Sequence, residues 1–382
     1  MTKRRLTIVA VVAAATIGEG VFAIPYVIVT AGWGIALGYF AAIAAIVSAA
    51  HVLYLRTLAA GGEKRRLLGL VRDHFGEAGF WTGFVAVVGG ILLGFTAYLV
   101  LGARFIHILF PALPASASFA LFWLILSLIV WMSEGRIAGL EAAGVTLVLA
   151  AIVFVFVSGD PAAAFAAVPV AVPDQFFLPF GAILFSFAGW TSVEQVYELI
   201  HRDGAAPAAA KDGNGNGDKD EVGAFWLFAA GTAFVGMLYW LFAAGVIGTM
   251  PHVAADTISG IGAWPAWRRD LLALVGLFSI AVVSFPLARE LRSAMEKDLR
   301  WNPLLSRTLI VLLPLAAVLL GFKNFLSIIG LAGGFFIAMQ YLLIIFVGRK
   351  ALALSRRERI LLDAAAIIFC AAAVYEIWYF IV

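Results

Sequence analysis

The sequence predicts an all-α integral membrane protein of eleven transmembrane helices, and three observations predict it. Of 382 residues, 63% are hydrophobic and only 13% are charged, with a mean hydropathy of +1.02. A soluble surface needs about 25% charged residues, so a water-soluble domain of this length is excluded. Apolar runs of about 20 residues, the length that crosses a bilayer, recur along the whole chain. Lys and Arg cluster in alternate connections: 22 fall in one set and four (Arg104, Arg268, Arg269, Lys323) in the other.

The spans fall at about 6–30, 33–58, 79–110, 117–133, 137–158, 175–200, 222–249, 266–295, 304–321, 323–347 and 357–381. The first follows Lys3, Arg4 and Arg5. Its apolar run continues past Ala13-Ala14-Ala15 to Val29, too long for a signal-peptide core, so it reads as a span. The positive-inside rule then places the N-terminus in the cytoplasm and the C-terminus outside, and a missed helix would scramble that asymmetry. The expected location is the inner membrane of a prokaryotic cell. Between spans 2 and 3, GGEKRRLLGLVRDHF (61–75) is basic and amphipathic, and is expected to lie on the cytoplasmic membrane surface. After span 6, residues 203–221 are polar and glycine-rich, the composition of a flexible cytoplasmic linker. Asp212-Gly213-Asn214-Gly215-Asn216-Gly217 fits half of a calcium loop, but position twelve is Gly223 where a bidentate glutamate is required. No metal site is expected, and no cofactor. Catalytic motifs and His/Cys clusters are lacking, the five histidines (51, 74, 107, 201, 252) read as packing or interfacial residues, and Cys370 has no disulfide partner.

Two segments carry chemistry. In span 1, Ile17-Gly18-Glu19-Gly20 is followed by Pro25. A carboxylate at mid-bilayer depth costs roughly 2.5–3.5 kcal/mol, glycines weaken a helix, and proline removes a hydrogen bond. A plain anchor has no use for them, whereas an interrupted helix presents backbone N–H and C=O groups to a ligand. In span 6, Phe187-Ala188-Gly189-Trp190 separates an apolar half from Thr191, Ser192, Glu194 and Gln195. Spans 1 and 6 hold equivalent places in two runs of five, 1–158 and 175–347, with 357–381 as an extra helix. Paired interruptions at matching places point to a transporter site on inverted repeats. The chain is thus expected to be one transporter domain, 1–382, with a small-molecule substrate and no nucleic-acid partner.

Thr16–Gly34, TIGEGVFAIPYVIVTAGWG, resembles the first span of permeases of the amino acid–polyamine–organocation superfamily, in particular the amino acid/auxin permease branch and bacterial aromatic amino-acid permeases. GFTAYLVLGARFI (94–106), SIAVVSFPLARELR (279–292) and SIIGLAGGFFIAMQYLL (327–343) resemble that branch's third, eighth and tenth spans. The resemblance implies a LeuT-type bundle of five plus five inverted helices and secondary amino-acid transport by alternating access. By position it implies that the backbone at Gly18 and Gly20 takes the substrate carboxylate. Ala188, Gly189 and Trp190 would receive the amino group and wall the side chain, and Tyr98 would face the site. Such relatives have a small residue between the two glycines; here it is Glu19, which when ionised would repel a carboxylate. The sodium site of this fold would map to Ala14, Ile17 and Ser279, but span 8 offers one hydroxyl where sodium-coupled members have two. Span 5 has no lysine, only Glu141, which leaves Glu19 as the expected proton carrier. Glu19 and Glu194 also keep a polyamine or cationic amino-acid carrier open. Deleting Ala205–Gly217 is expected to leave detergent melting temperature and substrate flux nearly unchanged, because this composition does not pack.

Overall fold

The computed structural model describes residues 2–61, 66–132, 138–202, 217–250 and 252–381, and no β-strand occurs among them. The helices are α1 (Thr2–Thr16), α2 (Ile24–Ala31), α3 (Trp33–Gly61), α4 (Leu67–Leu109), α5 (Ala115–Trp131), α6 (Ala138–Val157), α7 (Pro161–Ala167), α8 (Pro179–Ser186) and α9 (Thr191–Arg202). There follow α10 (Gly217–Ile247), α11 (Ala266–Arg292), α12 (Pro303–Leu319), α13 (Phe325–Leu331), α14 (Ala338–Ala351) and α15 (Arg356–Ile381). Six long helical segments are apolar enough to cross a membrane, and three shorter apolar helices accompany them. The remaining two of the eleven spans escape a length criterion because they are broken: α1–α2 and α8–α9.

The packing has the symmetry of an inverted repeat. The first span meets the sixth, the second meets the seventh (α3 on α10), the third meets the eighth (α4 on α11) and the fourth meets the ninth (α5 on α12). The fifth span, α6, packs on α10 and α11; its counterpart, the tenth, packs on α3 and α4. Exchanging the two halves leaves this pattern unchanged. The architecture is therefore five plus five helices, and α15 lies outside that pairing, against α8, α13 and α14. The outward faces of α5, α12 and α15 expose Leu124, Leu128, Leu319, Leu361 and Ile367, as an integral multi-pass protein in lipid requires.

Two expectations are modified. Of the amphipathic segment, residues 62–65 lie outside the described residues, and residues 67–75 form the first turns of α4, up to Gly76, whose φ of 67° breaks the helix before the third span. Leu67, Leu68, Leu70 and Val71 are buried against the bundle while Arg72 and Asp73 face out, so protein rather than lipid covers its apolar face. Of the expected linker, residues 203–216, and with them the calcium-like motif from 212 to 216, lie outside the described residues. Helix α10 already begins at Gly217. The structure also adds elements that the hydropathy pattern does not mark: helix α7, capped by Asp160 on the Ala162 and Ala163 N–H groups, a 3-10 turn at Ile258–Ala263, and π-helical turns at Ser293–Asp298 and Ala332–Ile337.

Glycines set the closest approaches. A Cβ on Gly245 of α10 would stand 2.7 Å from the Phe156 Cα, and one on Gly159 would stand 2.8 Å from the Gly245 Cα, whereas one on Gly38 would meet nothing within 4 Å. Small residues at such crossings let backbones touch. Gly245→Leu is expected to cost about 1–3 kcal/mol by overpacking, read as a lower melting temperature in detergent, with Gly38→Ala as the neutral control.

Candidate functional site

Helix α1 ends at Thr16, whose hydroxyl bonds the Val12 carbonyl at 2.7 Å instead of extending the helix. Ile17 and Gly18 are unwound, a 3-10 turn spans Glu19–Phe22, and α2 resumes with Pro25 in its first turn. Gly18 has φ −154° and ψ −173°, extended backbone open to any residue, and a Cβ there would meet nothing. Gly20 is different: a Cβ on it would stand 2.9 Å from the Ser186 Cα. Gly20 is thus the glycine that lets the two breaks touch. Helix α8 ends at Ser186, residues 187–190 are unwound, and α9 begins at Thr191. The breaks lie side by side, where the sequence places them.

One side chain joins them. The Tyr239 hydroxyl of α10 accepts a hydrogen bond from the Gly18 N–H at 3.0 Å and lies 3.0 Å from the Thr16 carbonyl and 3.3 Å from the Ser186 carbonyl, to which it donates. Its ring stacks on Phe187, centroids 6.3 Å apart. The sequence reading missed Tyr239, because a lone tyrosine in an apolar run gives no sign of its partners. The Gly18 N–H that the resemblance offers to a substrate carboxylate is therefore engaged by Tyr239 in this conformation.

Between the breaks lies a cavity of about 110 Å³, lined by Ile17, Gly18, Gly20, Tyr98, Ala188 and Trp190 together with Phe185, Ser186, Val283 and Gln340. Of the expected substrate residues, five line it. Gly189 sits behind the wall, against Thr16 and 3.8 Å from the His51 ring if it bore a Cβ. Glu19 stands beside the cavity. It is fully buried with Tyr98 as its polar neighbour, and neither carboxylate oxygen has a hydrogen-bond partner of good geometry. Of the candidate ion-site residues, Ile17 lines the cavity, Ala14 is an exposed residue of α1, and Ser279 is buried on α11.

Clusters of polar and aromatic side chains flank the cavity at two ends. Toward one end, Trp190 donates its indole N–H to the Gln340 Oε1 at 2.6 Å, and Gln340 donates to the Ala86 carbonyl at 2.9 Å. Beyond Trp190, Tyr54 donates to Glu194 at 2.7 Å, and Arg66 reaches Glu194 at 3.7 Å, Glu290 at 3.3 Å and the Ser293 hydroxyl at 2.8 Å. Burial works against the Arg66 charge, but the Glu290 and Glu194 carboxylates outweigh it and raise the guanidinium above its ordinary range. Toward the other end, Phe22 packs edge-on against Phe105 and Phe242 at 5.4 and 5.6 Å. Above it, Arg104 pairs with the buried Asp256, which also accepts from the Ser259 N–H and hydroxyl. Thr257, at φ 58°, donates to the Phe22 carbonyl at 2.5 Å. A β-branched residue at positive φ is strained and persists only where its surroundings hold it. The loop before α11 is thus pinned over the break.

No protein-family model and no curated protein sequence matches the chain. Solved structures do. MhsT in complex with L-phenylalanine superposes with a TM-score of 0.61 at 14% identity, covering 98% of each chain. Mhp1, a nucleobase-cation-symport-1 family transporter in a closed conformation with bromovinylhydantoin bound, gives 0.60 at 12% identity over 97% of this chain and 92% of the other. A manganese transporter of Eremococcus coleocola, in complex with an aromatic bis-isothiourea compound, gives 0.58 at 12% identity over 97% and 86%. These neighbours are transporters of the LeuT type, and at such identities the likeness establishes the fold: a LeuT-type bundle of five plus five inverted helices with an eleventh appended.

Proposed function

We propose that the chain is a secondary active transporter that carries an amino acid across the membrane by alternating access, coupled to protons through Glu19. The observation that carries this reading is a cavity between two broken helices, flanked by side-chain clusters, with a fully buried carboxylate beside it that finds no hydrogen-bond partner among the described residues. Barriers on both sides of one central site are what alternating access demands. The Arg66–Glu194–Glu290 cluster is the cytoplasmic gate and Arg104–Asp256 with Phe22 the outer one, an assignment that rests on the positive-inside rule. The site is small: at about 110 Å³ it falls below the 150 Å³ cavity that holds benzene. It therefore suits an amino acid with a short side chain. MhsT, with its bound L-phenylalanine, supports the amino-acid class by analogy of fold alone.

Protons are favoured over sodium because the eighth span offers one hydroxyl, Ser279, where sodium-coupled members of the fold have two, while Glu19 stands at the break. A proton on Glu19 removes the repulsion between its carboxylate and that of a substrate, so proton and substrate bind together. When the bundle opens toward the cytoplasm both leave, water hydrates the Glu19 anion in the open site, and Glu19 is protonated again when the site opens to the outside.

Glu19→Gln tests this. Gln has the shape of a protonated carboxyl and releases no proton, so proteoliposomes should retain exchange of internal for external substrate and lose pH-driven accumulation. Unchanged accumulation would end the proton-carrier reading. If Glu19 were instead the counter-charge of a cationic substrate, binding itself would weaken by roughly 1.5–3 kcal/mol.

The gate is tested separately. With 39% of its side chain exposed, Arg66 contributes about 1 kcal/mol to closure. In a Cys370→Ser background, Arg66→Ala should raise thiol labelling of an Ala188→Cys reporter from the cytoplasmic side by roughly five-fold. An unchanged labelling rate would show that Trp190 closes this end alone.

A further inference from the structure

A second buried carboxylate plays no part in the cavity. Glu376 lies on α15, is 5% exposed, and faces the bundle. Its carboxyl group sits in a cradle of three glycines from two other helices. A Cβ on Gly181 of α8, on Gly330 of α13, or on Gly334 in the π-helical turn would come within 3.0 Å of Glu376 carboxyl or side-chain atoms. The Gly181 backbone N–H lies beside the carboxyl. Gly181 is the third residue of α8, so this N–H is one of the donors that a helix cannot satisfy for itself. The Gly330 carbonyl shares the same small space, 2.6 Å from the Cβ position of Gly181.

We propose that Glu376 is a second proton-binding site: as the neutral acid it clamps half-helix α8 to the tenth span, and as the anion it leaves the glycine cradle and frees α8. The groups around it decide this. Helix α8 (PFGAILFS), α13 (FLSIIGL) and the π-helical turn (AGGFFI) carry no ionisable side chain. On α14, Tyr341 is bonded to His51, Arg349 is paired with Asp363, and Lys350 holds the His74 carbonyl, all away from the cradle. On α15 itself the neighbours are Tyr375 and Tyr379, with Tyr39 of α3 beside Tyr375. Asp174 and Lys323 are exposed in the loops before α8 and α13. Among the described residues no cation therefore offsets a charge on Glu376. The α8 dipole favours an anion at its N-terminus, but the helix is eight residues long and the carboxyl has lost its water. A neutral carboxyl accepts from the Gly181 N–H and tolerates the Gly330 carbonyl; an anion is repelled by that carbonyl.

The clamp acts on the cavity through rigid elements. Helix α8 ends in Phe185 and Ser186, and the tenth span continues into Ile337 and Gln340, all four lining the cavity. Between them a Cβ on Gly333 would stand 2.8 Å from the Phe185 nitrogen, so any loosening at Gly181 reaches the break directly. Glu376 lies five residues before Ile381, about 8 Å from the end of α15. A released carboxylate therefore reaches the aqueous face at that end, where Trp378 and Tyr379 are exposed as an interfacial belt.

Infrared spectra of the purified full-length protein in detergent, titrated from acid to alkaline pH, test the proposal without any transport measurement, so its failure is distinct from that of the transport reading. Protonated carboxyls are read by their carbonyl band. Glu376→Gln is expected to remove one such band at neutral pH that Glu19→Gln leaves in place. It should also keep the wild-type melting temperature of acid pH and hold it as pH rises, where the wild type falls. Glu376→Ala should melt lower than Glu376→Gln at every pH. An unchanged carbonyl band in Glu376→Gln, or wild-type melting of Glu376→Ala, would overturn the proposal. Should Glu376→Gln fail to fold, Gly334→Ala intrudes on the carboxyl without removing it and must shift the band; an unmoved band overturns the proposal as well.

Discussion

Two helices interrupted at bilayer depth leave backbone groups that no water can satisfy, and the fold depends on how those groups are answered. Each unpaired N–H or C=O in hydrocarbon costs several kcal/mol. At the touching point of the two breaks, three of them meet one phenol: Tyr239 takes the Gly18 N–H and faces the Thr16 and Ser186 carbonyls. The rest of the region follows from that knot. The Thr16 hydroxyl turns back on Val12, the Ser186 hydroxyl on Ala182, and the Ser192 hydroxyl on the Gly189 carbonyl. With the local polar groups paired in this way, Glu19 is the group left over. A hydroxyl that answers one donor and two acceptors can exchange partners at little cost, which suits a junction whose halves must move.

The second consequence concerns rigidity. The repeat-symmetric pairing packs the long helices α3 on α10 and α4 on α11, and the backbone-close glycines Gly159 and Gly245 join α10 to the end of α6. Close-packed interfaces of this kind move as units rather than bend. The two polar clusters at the ends, by contrast, are built from single side chains reaching between elements: Arg66 from before α4 to α9 and α11, Arg104 from α4 to the loop before α11. They are the contacts that can open without unpacking a core. The geometry is thus a balance between stiff pairs of helices and a few electrostatic contacts at the two ends.

Most of this fold was legible in the sequence, for a physical reason. A bilayer forces every span to be a helix of set length, so hydropathy and Lys/Arg asymmetry count the spans and pair them by position. The breaks were legible because glycine, glutamate and proline together are intolerable in an ordinary span. What the sequence hid depends on lateral neighbours. Tyr239 and Gln340 are unexceptional residues until the structure shows which backbone and side-chain groups they meet. Gly18 and Gly20 look alike in sequence, yet only Gly20 is required by close contact, since the extended backbone of Gly18 suits any residue. The amphipathic turn before Gly76 has a pattern that fits lipid and protein equally well, and contact with the bundle decided between them.

Glu19 and Glu376 share a logic that the symmetry of the fold makes plain. Each is a carboxylic acid beside a broken span, Glu19 within the first and Glu376 against the N-terminal half of the sixth. Neither has a basic partner among the described residues. Had the chain needed only stability, apolar side chains at both places would have served as well, since burying a charge without a partner is among the costlier choices. Carboxyls without cations are instead useful where the charge must come and go, because the absence of a fixed counter-ion makes the two protonation states prefer different surroundings. A proton arriving at such a group alters which arrangement of the two half-helices is favoured, with no new contact needed from the substrate. On the proposed reading, two such groups let the state of the bundle depend on protons twice: once at Glu19 in the first break, and once at the eleventh helix that the inverted repeat does not itself require.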